Sequence, residues 1–376
     1  VNSPVNELLH RHVAAGTIPG AVALVDAGDG TEPVSAGAAS IGGPPMPTDA
    51  IVRIQSMTKI IEAVAALRLV ESGRLQLDGS LTEWLPELDD RQVLRTPLAE
   101  LDDTVPATRP ITLRHLLTNT SGYGMIMESS PLQRAMTANG TEAGSDPVDF
   151  GADEWLRRLS DLPLAFQPGG GWRYHHSFGV LGILISRITG RPLGEQLAAD
   201  ILQPLGMSDT AMWVPEDKLD RLPAAYRYGE TGWIEIEPAG GGFYAGPPPF
   251  DVSHGELVST AADFGRFLSV LTRGGEIDGR PLLSPDHLRQ LTSDQVPADC
   301  KTPESFFFPG FWDGMGWGYG VIIHTTGSRQ GRYGWSGGLG TDFYVDPDGT
   351  VAVLLTQVEM GAHIGRLLED FQSLGS

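Results

Sequence analysis

The run Ile60, Ile61, Ala63, Val64, Ala65, Ala66, Leu67, Leu69, Val70 puts apolar residues on nearly every face of a helix. Such a helix has no side to give to water, so other elements must enclose it. Gly73, after Glu71-Ser72, has the place of a left-handed cap. At 376 residues the chain can build that enclosure, either as two domains of ordinary size or as one large domain with an insertion.

Ser56 and Lys59 stand three apart at the start of this run, in Ile54-Gln55-Ser56-Met57-Thr58-Lys59. Residues i and i+3 share a helix face, so the hydroxyl and the amine are expected to meet. Ser56 is expected at the helix N-terminus, where free N–H groups and the helix dipole favour the negative charge of an acyl-transfer intermediate. Burial lowers a lysine pKa towards the working range of a base. A Ser-x-x-Lys spacing also arises by chance, and it takes its meaning from its context.

Composition narrows the function. A net charge of −21 repels nucleic acid and anionic membrane surfaces. Hydrophobic content of 41% and charged content of 19% fit an ordinary globular chain. The one cysteine, Cys300, excludes an internal disulfide, and no Cys/His cluster has zinc spacing, so neither metal nor cofactor is expected. Gly169-Gly170-Gly171 and Gly240-Gly241-Gly242 lack the Lys-Ser/Thr pair of a phosphate-binding loop. Val1-Asn2-Ser3-Pro4 does not read as a leader, and no run is long enough to span a bilayer. A cytoplasmic location is the expectation, although a signal peptide removed before Val1 leaves no trace.

Along the chain, helical spacing covers residues 4 to 15, and strands are expected at 21–25, 33–40 and 51–54. From about 72 to 235 helices are joined by Pro- and Gly-rich loops. One of them is capped by Thr112, one runs from Ser177 to Thr189 and one opens at Pro192. A helix follows from about Thr260 to Leu271, then strands at 318–325, 331–335, 340–346 and 350–357, then a last helix at 361–372. Strands at both ends with helices between predict an α/β domain built from 1–71 and 236–376, with a mainly helical domain, 72–235, inserted. The cleft between two such domains is a preferred place for a small-molecule site.

With these motifs in place the chain resembles the serine β-lactamase-like hydrolases, and among them the family VIII carboxylesterases related to class C β-lactamases. Ser56-Met57-Thr58-Lys59 fits the first motif and Trp172-Arg173-Tyr174 the segment of the second-motif tyrosine. Ile111–Gly122, Pro204–Thr210 and Leu257–Asp263 also look like the family, and Trp335-Ser336-Gly337 stands where β-lactamases have Lys-Thr-Gly. The resemblance implies an α/β (α+β) fold, an antiparallel sheet flanked by helices with a helical insertion. It further implies an acyl-serine mechanism on small esters without a cofactor, with Ser56 as nucleophile and Lys59 and Tyr174 handling protons. The backbone N–H groups of Ser56 and Gly338 are the implied oxyanion hole. Trp335, His176, Tyr123, Phe178 and Tyr244 are the expected substrate-binding side chains, and other aromatics such as Phe306, Phe307 and Phe308 are candidates for an acyl pocket.

Two departures stand out. His176 occupies the position of the family's second-motif asparagine, where it either tunes the site or caps the next helix. Trp335 replaces a lysine, which removes a cation and points to uncharged substrates. Acyl transfer to an alcohol or amine, β-lactamase or D-amino peptidase activity, and a non-catalytic penicillin-recognising sensor are the rival readings. Within enzymes, Gly334-Trp335-Ser336-Gly337-Gly338 also spells the α/β-hydrolase elbow, with His363 downstream. The elbow needs a helix after its serine, whereas Gly340–Asp346 reads as a strand.

Overall fold

Alternation along the strand Gly20–Asp26 sets how the sheet is sandwiched. Val22 and Leu24 face one core together with Phe343, Val353 and Leu355. Ala21 and Ala23 face a second core with Tyr344, Ala352 and Leu354. Strands covered on both faces read as continuous apolar runs, which is why Ala21–Val25 and Val351–Leu355 stand out in the sequence.

The computed structural model describes residues 3–143, 148–248 and 257–374; Val1 and Asn2, read above for a leader, lie outside these. Seven antiparallel strands form one sheet in the order Met315–Trp317, Ile322–His324, Tyr333–Gly337, Thr341–Val345, Val351–Leu355, Gly20–Asp26, Val34–Gly37. Both ends of the chain therefore supply the sheet. The helices Pro4–Ala14 and Gly365–Gln372 cover one face through Leu8, Leu9, Leu367 and Phe371. On the other face lies Ala261–Thr272, whose Phe264 sits edge-on to Phe343 at 5.2 Å. Beyond it comes Thr58–Glu71, buried along almost its whole length as its composition requires.

Of the strand expected at 318–325 only Ile322–His324 is a strand, and a further one, Met315–Trp317, precedes it. Gly318 and Gly320 separate them, Gly320 at φ +81°, where a Cβ would come within 3.0 Å of the Lys59 carbonyl oxygen. The helix begun at Thr112 is only Leu113–Leu117, closed at its start by a capping box in which Thr112 N–H donates to His115 Nδ1 at 3.1 Å. Two helices of the middle region, Pro131–Asn139 and Ala152–Ser160, and the hairpin Ala225–Gly229 with Gly232–Glu237 were not anticipated. The hairpin bonds to the sheet side of the molecule: Tyr226 N–H donates to Gln357 O and Glu359 N–H to Tyr226 O, both at 2.8 Å. Among the described residues, no helix is long and apolar enough to cross a membrane.

Candidate active site

Ser56 sits not in the α-helix but on a 3₁₀ turn, Gln55–Met57, that runs straight into Thr58–Glu71. The turn starts from a strained residue. Gln55 has φ 50°, a left-handed conformation that costs a side-chain-bearing residue ~1–3 kcal/mol and persists only where its surroundings hold it. Here its Nε2 donates to Tyr244 OH at 2.8 Å. The preceding residue is fixed as well, Ile54 N–H donating to Leu257 O at 3.0 Å and Thr341 Oγ1 to Ile54 O at 3.1 Å. The half-buried Ser56 hydroxyl is thereby aimed at Lys59, whose Nζ donates to Ser56 Oγ at 2.9 Å.

Lys59 is fully buried, which for a lysine demands compensation. Part of it is aromatic: Nζ lies 4.9 Å from the ring centre of Tyr174 and 5.8 Å from that of Phe178. Tyr174 itself is held by its backbone, its carbonyl accepting from Met125 N–H at 2.8 Å and the preceding Arg173 N–H donating to Asn119 O at 3.0 Å. The residue after it is a second strained position, His175, at φ 94°. Left-handed residues thus stand next to both the serine and the tyrosine, and each ends the approach of its segment abruptly at a helix.

The tyrosine oxygen accepts the indole N–H of Trp335 at 2.6 Å. Burial drives the Tyr174 pKa well above its usual range, opposed by its hydrogen bonds with Ser56 and Trp335. At neutral pH the group is a phenol, able to give a proton, and each of those bonds eases its ionisation. Trp335 brings no cation to this position, but the polar edge of its ring supplies a donor to Tyr174.

Past Trp335 the strand closes on the Ser56 turn because Gly337 has no side chain. A Cβ there would lie 2.2 Å from Thr341 Oγ1 and 2.4 Å from Ile54 O. Gly338 follows, exposed, with its Cβ direction 3.8 Å from Gln55 Oε1.

Of the expected substrate-binding residues, Trp335 and Phe178 reach the Lys59–Tyr174 cluster, Phe178 as a fully buried wall. Three others are corrected. His176 is buried, donates through Nε2 to Thr141 O at 2.6 Å and stacks on Trp155; burial pulls its pKa down to about 4, so it is a neutral interior residue. Tyr123 lies in the core beside a small cavity lined by Leu132, Met136, Leu159 and Ala165. Tyr244 is buried behind Gln55, and its hydroxyl accepts from Gln55 Nε2. Gln55 carries no signal of its role in its residue type, since φ has no letter.

The elbow-like serine is excluded by geometry. Ser336 donates to Asp342 at 3.0 Å, while His363 stacks on Tyr228 with ring centres 3.6 Å apart. Nor do the nearby arginines substitute for the lost lysine. Arg332 is paired with Asp346 and Arg329 donates to Ser373 Oγ at 3.0 Å.

Comparison with known proteins shows a family and a fold. Protein Rv1367c of Mycobacterium tuberculosis is 36% identical over 323 residues, covering 83% of this chain and 78% of that protein. Esterase EstB of Burkholderia gladioli is 32% identical over 332 residues, again covering 83% of this chain and 78% of the relative. The solved structure of EstCE1, described as a hydrolase with promiscuous acyltransferase activity, superposes with a TM-score of 0.81 at 24% identity. It covers 98% of this chain and 96% of that one, and it shares the fold. The Beta-lactamase family pattern matches residues 5–365, and the chain belongs to that family.

Proposed function

We propose that this protein is a carboxylesterase that cleaves small neutral esters through an acyl-serine intermediate. The observation that carries the reading is a fully buried Lys59 donating to Ser56 Oγ at 2.9 Å with the Tyr174 ring against the same amine. In this reading Ser56 Oγ attacks the ester carbonyl carbon and its proton passes to the Lys59–Tyr174 pair. The carbonyl oxygen becomes an oxyanion facing the N–H groups of Ser56 and Gly338. Collapse breaks the bond to the alcohol oxygen, which takes the proton from the pair. Water then attacks the acyl-serine, giving its proton to the same pair, and the acid leaves as Ser56 is restored. A contacting Lys–Tyr pair titrates jointly, so the base is the pair.

The name of EstB supports hydrolysis, and the description of EstCE1 names acyl transfer beside it. Both outcomes share the acyl-enzyme and differ only in its acceptor. Preference for neutral esters follows from Trp335. The carboxylate of a β-lactam drug loses the charge-assisted bond that a lysine at this position offers, and Arg329 and Arg332 are engaged elsewhere. That loss is worth roughly 1.5–3 kcal/mol, or about 10- to 100-fold in kcat/KM.

We place the site in a cleft between a sheet unit, 1–71 with 236–376, and an inserted unit, 72–235. The bonds of Tyr226 to Gln357 and Glu359 favour assigning the hairpin at 225–237 to the sheet unit. A small-molecule ester is the only partner this reading requires, and we assign it to the cytoplasm, where the single thiol of Cys300 stays reduced.

The test is a short-chain p-nitrophenyl ester assayed beside nitrocefin in the wild type, Ser56→Ala and Ser336→Ala. The ester is expected to be the better substrate by at least about tenfold. Ser56→Ala should abolish its hydrolysis, and Ser336→Ala should retain the chemical step. A fluorophosphonate adduct found on Ser336 by peptide mass spectrometry would sink the assignment.

A further inference from the structure

The segment Ser305–Trp312, Ser-Phe-Phe-Phe-Pro-Gly-Phe-Trp, holds five aromatic residues in eight. It is built, not loose: Trp312 Nε1 donates to Ser305 Oγ at 2.7 Å, and Ser305 Oγ to Thr302 O at 2.7 Å. It is also tied to the catalytic tyrosine's own segment, since Arg173 Nη1 donates to Glu304 O at 3.2 Å. From there Phe306 meets Tyr174 edge-on, ring centres 5.6 Å apart at 89°, and lies 6.0 Å from Trp335. Phe307 and Phe308 continue outward, 4.8 and 5.9 Å from Phe306, and are 63% and 53% exposed. Aromatic side chains therefore run from the Tyr174 ring to solvent. Large exposed apolar side chains gathered beside a site mark where something apolar binds.

Which end of an ester lies there follows from the proton. The alcohol oxygen must receive one as its bond to carbon breaks, and the Lys59–Tyr174 pair supplies it, so that oxygen sits at the pair, whose Tyr174 ring is the member that Phe306 touches. The carbonyl oxygen, bound to the same carbon, turns towards the N–H of Gly338, which follows the end of the strand Tyr333–Gly337. An alcohol substituent directed away from Gly338 thus starts at Tyr174 and Trp335 and next meets Phe306.

We propose that this enzyme selects esters of aromatic alcohols, with Phe306 and Phe308 reading the alcohol and not the acyl group. The proposal rests on the esterase reading above and adds its substrate class. Ring-on-ring contact adds to simple burial by an amount corresponding to about 3- to 10-fold in kcat/KM per ring pair.

The experiment compares benzyl acetate with cyclohexylmethyl acetate, which share the acyl group and have alcohols of similar size and acidity. A mirror pair, ethyl phenylacetate and ethyl cyclohexylacetate, places the same contrast on the acyl side. The wild type is expected to favour benzyl over cyclohexylmethyl acetate about 3- to 10-fold and to show a smaller contrast in the mirror pair. Phe306→Leu should bring the first ratio close to one. Phe308→Ser, at an exposed position with little bearing on folding, should lower kcat/KM for 3-phenylpropyl acetate more than for benzyl acetate.

A wild-type ratio near one for the alcohol pair would overturn the proposal, and so would a Phe306-dependent preference confined to the acyl pair. Ser56→Ala, run on the same esters, separates the two levels. If it hydrolyses none of them while the ratio is flat, only the alcohol assignment fails; if it keeps turnover, the esterase reading fails beneath it.

Discussion

The tyrosine oxygen is the most crowded atom of the site, bonded to the Trp335 indole and to Ser56 while the Lys59 amine lies over its ring. Replacing the indole by phenyl in Trp335→Phe removes a donor that favours the ionised phenol, so the Tyr174 pKa should rise further. A bond to a charged group is worth roughly 1.5–3 kcal/mol, hence kcat/KM for a neutral ester should fall about 10- to 100-fold. The limb of the pH–rate profile set by the joint titration of the Lys59–Tyr174 pair should also move to higher pH, and an unmoved profile would show that the indole only packs. Lys59→Ala and Tyr174→Phe should each lose most activity, and the double variant little more, because one proton-transfer unit is being removed in each case. Multiplicative losses in that cycle would mean two independent roles. The meeting of Ser56 with Lys59 was legible because their spacing puts them on one side of a helical turn. The left-handed Gln55 and His175 were not, and neither was the orientation of the Trp335 ring, since these depend on what the rest of the fold forces on them.

Among elements, the strand Tyr333–Gly337 connects the most parts of the site, with Trp335 at Tyr174 and Gly337 against Ile54. In Gly337→Ala the new Cβ meets a backbone oxygen that leads into the nucleophile turn, so the strand must back away. Losing one oxyanion donor typically costs ~10²-fold or more in kcat, which is the drop expected here. Circular dichroism should stay native, and an unchanged kcat would remove this strand from the oxyanion hole. The long elements could be read because burial gives them a strong period: Thr58–Glu71, His176–Thr189 and the strands at both ends except Met315–Trp317 were anticipated. Ala152–Ser160 was missed because only Trp155, Leu156 and Leu159 of its nine residues are buried, a stripe too narrow against its charges. The hairpin at 225–237 escaped for the opposite reason. Its residues are mostly half-buried or exposed, and what fixes it is backbone bonding to residues 357–359, which no local pattern encodes.

On the scale of the whole molecule, the sheet carries a buried acid beneath the site strand, and its titration should be visible in global stability. Asp342 is 2% exposed, accepts Ser336 Oγ at 3.0 Å and Gln372 Nε2 at 2.8 Å, and thereby joins the site strand to the C-terminal helix. Burial pushes its pKa up to about 7, although its hydrogen bonds from Gln372 and Ser336 and the nearby Arg332 act against that rise. In the unfolded chain the same group titrates near ~3.9, so between those two values the native state binds the extra proton. Stability must then fall as pH rises through that window and level off above it, by an amount on the order of 4 kcal/mol from this one group. A chain of net charge −21 at pH 7 also repels itself more as its other groups ionise, and this acts in the same direction. Asp342→Asn separates the two, because the asparagine keeps an oxygen for Ser336 and cannot ionise, while all other charges remain. Thermal unfolding of both proteins from pH 5 to 8 is expected to show a clearly steeper decline in Tm for the wild type. Parallel curves would mean that Asp342 is ionised throughout, and that the charge beneath the strand is a permanent part of the fold.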